Sequence, residues 1–317
     1  MEIIHGVSRL KRYKNPVVAI GVFDGVHRGH QKLLRKAVSR ARRICGTSIV
    51  LTLFPHPQKQ ESLSSLEHRL KLIQALDVDV CIVVNFNSFF ASLSPEDFIK
   101  KILADKLNAR YIYVGKNFRF GKNARGDVAM LSFYSRSLNY KVAIFELVGE
   151  KKGVISSSFI RGLICRGKLD KARRLLGRPV SILGTVIRGN SLAATLGFPT
   201  ANINPHHEIV PPSGVYAAYV FFRKKHMPAM CYIGTRPTIA GIPQKKKNLS
   251  RRRIEVHIFD FSGNLYGRDM EIQFVKKVRN EKKFDSLDSL SAQIRKDAGA
   301  SLKILSQKQS FYPAIHN

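Results

Sequence analysis

The stretch from Val17 to His30 constrains the fold of this chain more than any other. Val17-Val18-Ala19-Ile20-Gly21-Val22-Phe23 has seven residues, three of them valine and none charged, which reads as a buried strand. The run breaks at Asp24-Gly25. It resumes as a helix, with apolar residues at Leu33, Leu34, Ala37, Val38, Ala41 and Ile44. The turn between such a strand and helix is where an α/β sheet binds phosphates, because unpaired N–H groups and the positive helix end point there. His27 and His30, three apart, fall on one side of the helix start, and Gly29 between them lets a ligand approach the backbone. A solitary histidine here would be a satisfied surface residue. Two in an H-x-G-H frame after a strand and a turn favour nucleotide binding.

The first half alternates strand and helix. Strand-like stretches lie at 17–23, 48–54, 80–84, 111–114 and 142–147, with helical patterns at 28–43, 66–76, 95–107 and 128–138. The third helix is announced by Ser94 as N-cap, Pro95 in the first position and Asp97 completing a capping box. Five strands with crossover helices imply a parallel, doubly wound α/β sheet with ligands at the C-terminal strand ends. His27, Pro55-His56-Pro57 and the segment 115–121 all follow strands at that edge. A helical stretch at 157–176 ends at Gly177-Arg178-Pro179, and beyond it the period changes. Short strands at 182–188, 214–222, 230–234, 252–261 and 269–278, separated by Gly, Pro and Asn turns, form the pattern of an antiparallel β-barrel. A C-terminal helix at 287–305 closes it. The expected domains are 1–178 and 179–317.

At 317 residues two domains are the natural expectation. Hydrophobic content of 44% and charged content of 24% allow each to bury a core. The net charge of +32 favours anionic partners such as nucleotides. The basic residues are spread from 28–43 through 161–178 to 245–253, so no stripe marks a duplex-binding face, and no specific nucleic acid is expected. Cys45, Cys81, Cys165 and Cys231 are far apart with no C-x-x-C, as in a reducing compartment. No apolar run approaches ~18 residues, so no membrane span is expected and the location expected is cytoplasmic.

The pattern G-x-F-D-G-x-H-x-G-H resembles the nucleotidylyltransferase superfamily. More narrowly, it is similar to the N-terminal half of the bacterial bifunctional riboflavin kinase/FAD synthetase family. Further segments carry that resemblance in order: Thr52-Leu53-Phe54-Pro55-His56-Pro57, Val114-Gly115-Lys116-Asn117-Phe118-Arg119-Phe120-Gly121, Ile155-Ser156-Ser157-Ser158-Phe159-Ile160-Arg161, and Gly197-Phe198-Pro199-Thr200-Ala201-Asn202. The resemblance implies a Rossmann-like nucleotidylyltransferase (FMN adenylyltransferase) domain followed by a riboflavin kinase barrel. Riboflavin, FMN and ATP would be the small-molecule partners, with Mg²⁺ as cofactor and FMN and FAD as products; oligomer formation is left open.

The resemblance also suggests roles. In the first half, His27, His30 and Arg161 would carry adenylyl transfer by donating to phosphate oxygens. Gly21, Phe23, Asp24, Gly29, Pro57, Asn117, Arg125, Asp127, Ser156 and Ser157 would bind nucleotide or flavin. Asn117 stands where many relatives have Asp, although Asn is also a familiar variant. Lys116 and Arg119 beside it suit an anionic ligand. The bland alternative makes Ser156 and Ser157 an N-cap, Arg161 a solvated charge and His56 part of a structural turn. In the second half, Gly184, Gly189, Gly197, Pro199 and Arg279 would bind nucleotide or flavin. Thr200 and Asn202 offer hard oxygen ligands for the metal, and Glu255 would be the general base.

One departure stands out. The family's loop G-D-x-R-G-R-T-x-G is here Gly189-Asn190-Ser191-Leu192-Ala193-Ala194-Thr195-Leu196-Gly197. It lacks the inner glycine, the basic residues and the acidic residue of that pattern, with Ala193, Leu192 and Asn190 among the replacements. Two rival readings follow: an FMN adenylyltransferase with a degenerate kinase domain, and a basic RNA-binding protein built on a nucleotide-binding fold.

Overall fold

The computed structural model describes residues 1–8, 10–55, 61–146, 155–189, 195–234 and 252–308. His56, Pro57 and the altered loop 190–194 lie outside the described residues. The chain divides into two compact units. One comprises Met1–Ser62 and Leu66–Ser157; the other comprises Leu63–Ser65 and Ser158–Asn317.

The first unit is a parallel sheet of six strands: β1 (Glu2–His5), β2 (Val17–Ile20), β3 (Ser48–Phe54), β4 (Val80–Asn85), β5 (Tyr111–Gly115) and β6 (Lys141–Phe145). Their order is β1-β4-β3-β2-β5-β6. The sequence pattern predicts five of these. The sixth, β1, reads Glu-Ile-Ile-His and is mostly exposed, so it lacks the apolar run by which the others announce themselves. It is held as an edge strand by parallel pairing with β4, Glu2 opposite Val80.

Alternation sends the sheet's side chains to two cores. Val18, Ile20, Leu51, Ile82 and Ile112 pack with Phe98, Ile99, Ile102 and Leu103 of α4. That element starts at Pro95–Asp97 and continues as a π-helix over Phe98–Lys106, with Ser94 Oγ accepting from the Asp97 N–H at 3.0 Å. Val17, Ala19, Val50 and Val83 face the other way, onto α1 (Arg28–Arg43) and α2 (Leu66–Gln74). α1 buries Leu33, Leu34, Ala37, Val38 and Ala41 and leaves its cationic residues mostly in water. Two short helices, α3 (Ser88–Ser92) and α5 (Val128–Tyr134), complete the layer. Because β2 lies between β3 and β5, the chain changes direction across the sheet there. The crevice at the C-terminal ends of β2 and β5 is therefore the topological switch point.

The second unit begins with two helices where one is expected. α6 (Ser157–Cys165) and α7 (Leu169–Leu176) are separated at Gly167, whose φ of 68° no helix accommodates. α7 packs on the barrel strands β7 and β12. The expected division at 178/179 thus falls after these helices, whereas the compact units divide at Ser157/Ser158. The barrel is closed, in the order β10-β11-β8-β7-β12-β9. Its strands are β7 (Val180–Ile187), β8 (Ala201–Asn204), β9 (Gly214–Phe222), β10 (Lys225–Gly234), β11 (Arg253–Ile258) and β12 (Asp269–Arg279).

β8 is the strand the period analysis omits, and it is where the Pro-Thr-Ala-Asn segment lies. Val220, Ile272 and Ile182 oppose one another across β9, β12 and β7 and are fully buried. The opposite face of the sheet receives α8 (Leu287–Lys308), with Val215, Ala217, Tyr219, Met230 and Phe259 packed against Ala298 and Leu305. Leu63–Ser65, carried in the sequence of the first half, count with this unit. The Ser65 N–H donates to Glu208 Oε1 at 2.7 Å, and the Leu183 N–H to Oε2 at 3.0 Å. That satisfies a buried carboxylate with backbone donors.

Candidate functional site

The turn after β2 is tightly wound. Phe23, Gly25 and Val26 have φ of 52°, 70° and 36°. Left-handed backbone at a phenylalanine and a β-branched valine costs roughly 1–3 kcal/mol each, and their near-complete burial offsets it. His27 follows as the N-cap of α1, its Nδ1 accepting the His30 N–H at 3.3 Å. With Nδ1 an acceptor, the neutral ring carries its hydrogen on Nε2. The His27 and His30 rings stack, centroids 3.6 Å apart and planes 16° apart, and Phe23 meets His30 edge-on at 5.3 Å.

His30 Nδ1 is buried and has no hydrogen-bond partner among the described residues. Burial, then the charges of His27 and Arg69, hold His30 well below the ordinary histidine range. Ser157 Oγ donates to the Asp24 carbonyl at 2.9 Å. Gly21 lies under Phe23, where a Cβ would come 3.1 Å from its ring. The structure therefore brings Gly21, Phe23, Asp24, His27, Gly29, His30 and Ser157 together. Ser156 is exposed beside them in sequence. Arg161 is buried in α6, its Nη2 donating to Ser158 Oγ at 2.8 Å, and is not the solvated charge of the bland alternative.

Beyond β5 the segment 115–127 folds into a compact excursion. Phe120 and Gly126 exchange backbone hydrogen bonds, and the Phe120 ring plugs the core 5.2 Å from Phe98. Gly126 must lack a Cβ because the Phe120 ring lies where one would be. Asp127 is the N-cap of α5, accepting from the Met130 N–H at 3.0 Å. The two cations expected to serve a ligand are already paired: Lys116 with Glu146 at 2.7 Å and Arg119 with Asp127 at 3.4 Å. Asn117 and Arg125 are exposed.

In the barrel, register builds the second site. Glu255 on β11 lies opposite Asn202 on β8 and Tyr232 on β10. Directly opposed residues share a face, so the three form one row across three strands. Burial pushes the Glu255 carboxyl up from its usual range, with Arg253 opposing. A Cβ on Gly189 would collide with the Asn202 amide, and one on Gly184 with Ile203. Gly189 thus leaves room beside the amide, while the position of Gly184 is a packing requirement. Gly197 takes φ of 85°, and Pro199 and Thr200 lead into β8.

Arg279 is committed to Asp297 on α8. Its Nε reaches both carboxylate oxygens at 3.0 and 2.8 Å, and Nη2 reaches one at 2.8 Å. A bulge in β12 brings Arg279 opposite Val215, on the face that receives α8.

Sequence reasoning missed several residues of these sites. Arg69 is among the largest fully buried side chains, and its Nη1 donates to the Val22 and Leu53 carbonyls at 2.8 and 3.2 Å. It pins the ends of β2 and β3 beside the histidine turn. Nothing in the sequence separates it from a solvated helical arginine. Tyr232 donates to Glu281 at 2.8 Å. Strand alternation from Gly234 and register against Glu255 would have found it.

A doubly wound sheet with paired imidazoles at its switch point, joined to a closed barrel presenting a half-buried carboxylate, defines a two-unit nucleotide-using transferase. Comparison with known proteins gives the particular family. An FAD synthetase family model matches residues 10–159, and a riboflavin kinase model matches 176–305. The bifunctional riboflavin kinase/FMN adenylyltransferase of Buchnera aphidicola is 39% identical over 94% of this chain and 96% of its own. That of Escherichia coli K12 is 35% identical over the same shares. A crystal structure of a Streptococcus pneumoniae protein described as a macrolide-efflux protein aligns with TM-score 0.80 and 28% identity, over 95% of this chain and 99% of that one. Among the described residues no helix of this chain is long and apolar enough to cross a membrane. The chain belongs to the bifunctional riboflavin kinase/FMN adenylyltransferase family.

Proposed function

We propose that this chain phosphorylates riboflavin to FMN at the barrel and adenylylates FMN to FAD at the sheet, consuming one ATP at each step. The observation that carries the reading is the presence of two different chemical devices in two separate units: stacked imidazoles at a phosphate-binding turn, and a half-buried carboxylate in a row with an amide. In the sheet unit an FMN phosphate oxygen attacks the α-phosphorus of ATP and pyrophosphate leaves. The Nε2–H of His27 and the ring of His30 donate to triphosphate oxygens as charge develops. Asp24, Gly29 and Ser157 line the turn. Arg125 and Asn117 serve the anion across the crevice, since Lys116 and Arg119 are engaged with carboxylates. Arg161 is a further phosphate clamp.

In the barrel unit Glu255 takes the proton from the riboflavin 5′-hydroxyl as that oxygen attacks the γ-phosphorus and ADP leaves. The Thr200 hydroxyl and Asn202 amide are hard oxygen donors suited to Mg²⁺, with the space Gly189 leaves beside the amide. When bound, that ion neutralises phosphate charge. Arg279 orders the flavin side through Asp297 rather than by a free guanidinium. We further propose a cytoplasmic location and no specific nucleic-acid partner.

The test is chromatography of products from purified variants. His27→Ala should lower FAD formation from FMN about 100-fold, the scale of losing a transition-state donor, and leave riboflavin phosphorylation unchanged. Glu255→Gln should lower FMN formation ~10²–10⁴-fold while supplied FMN is still converted to FAD. Wild-type FAD synthesis by His27→Ala, or wild-type kinase activity in Glu255→Gln, would reject the corresponding assignment.

A further inference from the structure

The ladder between β11 and β8 is short. Only Glu255 opposite Asn202 and Val256 opposite Ala201 are paired. The next rung would set His257 against Thr200, and it is missing, although β11 continues to pair with β10 there, His257 opposite Met230. Thr200 is therefore the first residue outside the ladder. Pro199 before it has no N–H and can give the ladder no donor. What holds this end is a side chain: His257 Nδ1 lies 2.9 Å from the Pro199 carbonyl oxygen. The ring is fixed edge-on between two phenylalanines, Phe198 at 5.3 Å and 70°, and Phe259 at 5.2 Å and 88°. A carbonyl oxygen can only accept, so Nδ1 carries the hydrogen.

We propose that His257 is a positioning residue of the kinase site, its Nδ1–H replacing the missing rung and setting the segment of Thr200 and Asn202 against the strand that carries Glu255. This rests on the reading that Thr200 and Asn202 hold the metal. Two residues that must act on one phosphoryl group belong to strands joined by only two registered pairs. Without the side-chain bond, Pro199 and Thr200 would be tied to β11 by no hydrogen bond among the described residues. The tautomer is also fixed.

The test uses the full-length protein and three variants. His257→Phe keeps a ring between Phe198 and Phe259 but has no donor. His257→Asn places an amide N–H close to the position of Nδ1. His257→Gln carries its amide one methylene too far. Binding of Mg²⁺·ADP is measured by calorimetry, alongside riboflavin kinase kcat and KM for ATP, with the thermal melting of the barrel unit as the measure of folding. Losing one neutral hydrogen bond changes an equilibrium by about fivefold. His257→Phe and His257→Gln should weaken Mg²⁺·ADP by about that factor, with a matching rise in KM, and His257→Asn should bind as wild type.

In the wild-type protein, long-range ¹H–¹⁵N correlations of labelled histidine should show His257 as the Nδ1–H tautomer, identified by its loss in His257→Asn. Wild-type binding by His257→Phe, equal loss in His257→Asn, or an Nε2–H tautomer would each overturn the proposal. Asn202→Ala separates the underlying reading: if it leaves Mg²⁺·ADP affinity unchanged, the metal assignment fails, whatever the His257 series shows.

Discussion

Replacing Asp297 by Ala should selectively weaken the barrel unit. Asp297 is almost fully buried, with 4% of its side chain exposed, and the Arg279 side chain is 19% exposed. The carboxylate accepts from Arg279 Nε and Nη2 and from Gln293 Nε2 at 2.9 Å. Truncation leaves a guanidinium enclosed without its counter-charge, a change that costs about 3–5 kcal/mol. For a unit of this size each kcal/mol lowers the melting temperature by about 2–4 °C, so a fall of roughly 6–20 °C is expected. Differential scanning calorimetry reads the melting, and riboflavin phosphorylation after graded heating reads the loss of the barrel. The double variant Arg279→Met with Asp297→Leu removes both charges and should recover most of the stability, since apolar replacement of a buried pair is often neutral. It should not recover flavin phosphorylation. A melting temperature for Asp297→Ala within 1–2 °C of wild type would show that the pair is solvated, and would refute the reasoning.

Three shorter predictions follow from charge and burial. Because the fold depresses the pKa of His30, the folded state binds fewer protons than the unfolded chain below about pH 6.5, and stability is lost as pH falls through that value. Urea melts at pH 7 and pH 5 should show a larger loss in wild type than in His30→Gln; equal losses would disprove it. Burial raises the Glu255 carboxyl above its ordinary value of 4.5. The acid limb of the kinase pH profile should therefore lie above that value, disappear in Glu255→Gln and be absent from FMN adenylylation. The net charge of +32 should give weak, sequence-independent RNA binding that falls steeply between low and physiological salt. Tight, salt-resistant binding to one RNA would instead support the RNA-binding reading.

The parts of the fold legible in the sequence were those whose burial leaves a periodic mark. β2 through β5 are apolar on both faces, and the pattern of α1 matches its observed bounds, Arg28–Arg43. β1 was illegible because an edge strand facing water has no such mark. β8 is not legible as a strand, because four residues containing two asparagines carry no alternation strong enough to see. The single helix expected over 157–176 ignored Gly167, whose positive φ ends α6. At the sites, spacing brought His27 and His30 together correctly, since both lie on one turn. Lys116 and Arg119 look like ligand cations in the sequence because their partners Glu146 and Asp127 are 30 and 8 residues away. Arg69 and His257 act through tertiary bonds to backbone carbonyls, and a carbonyl has no letter in the sequence.

The edge strand β1 also dictates an order of events during synthesis. Its partner β4 is encoded roughly eighty residues later, Glu2 meeting Val80 and His5 meeting Val83. At ~5–20 residues per second, β1 leaves the ribosome several seconds before there is anything for it to pair with. β2, β3 and β4 are consecutive neighbours and can assemble first, so β1 is added to a sheet that already exists. A four-residue strand with charged and polar ends is suited to that wait, because it presents little that could template the wrong pairing between nascent chains. A change next to β1 would therefore interfere with a strand that joins only after β2, β3 and β4 have assembled, not with the nucleus of the sheet.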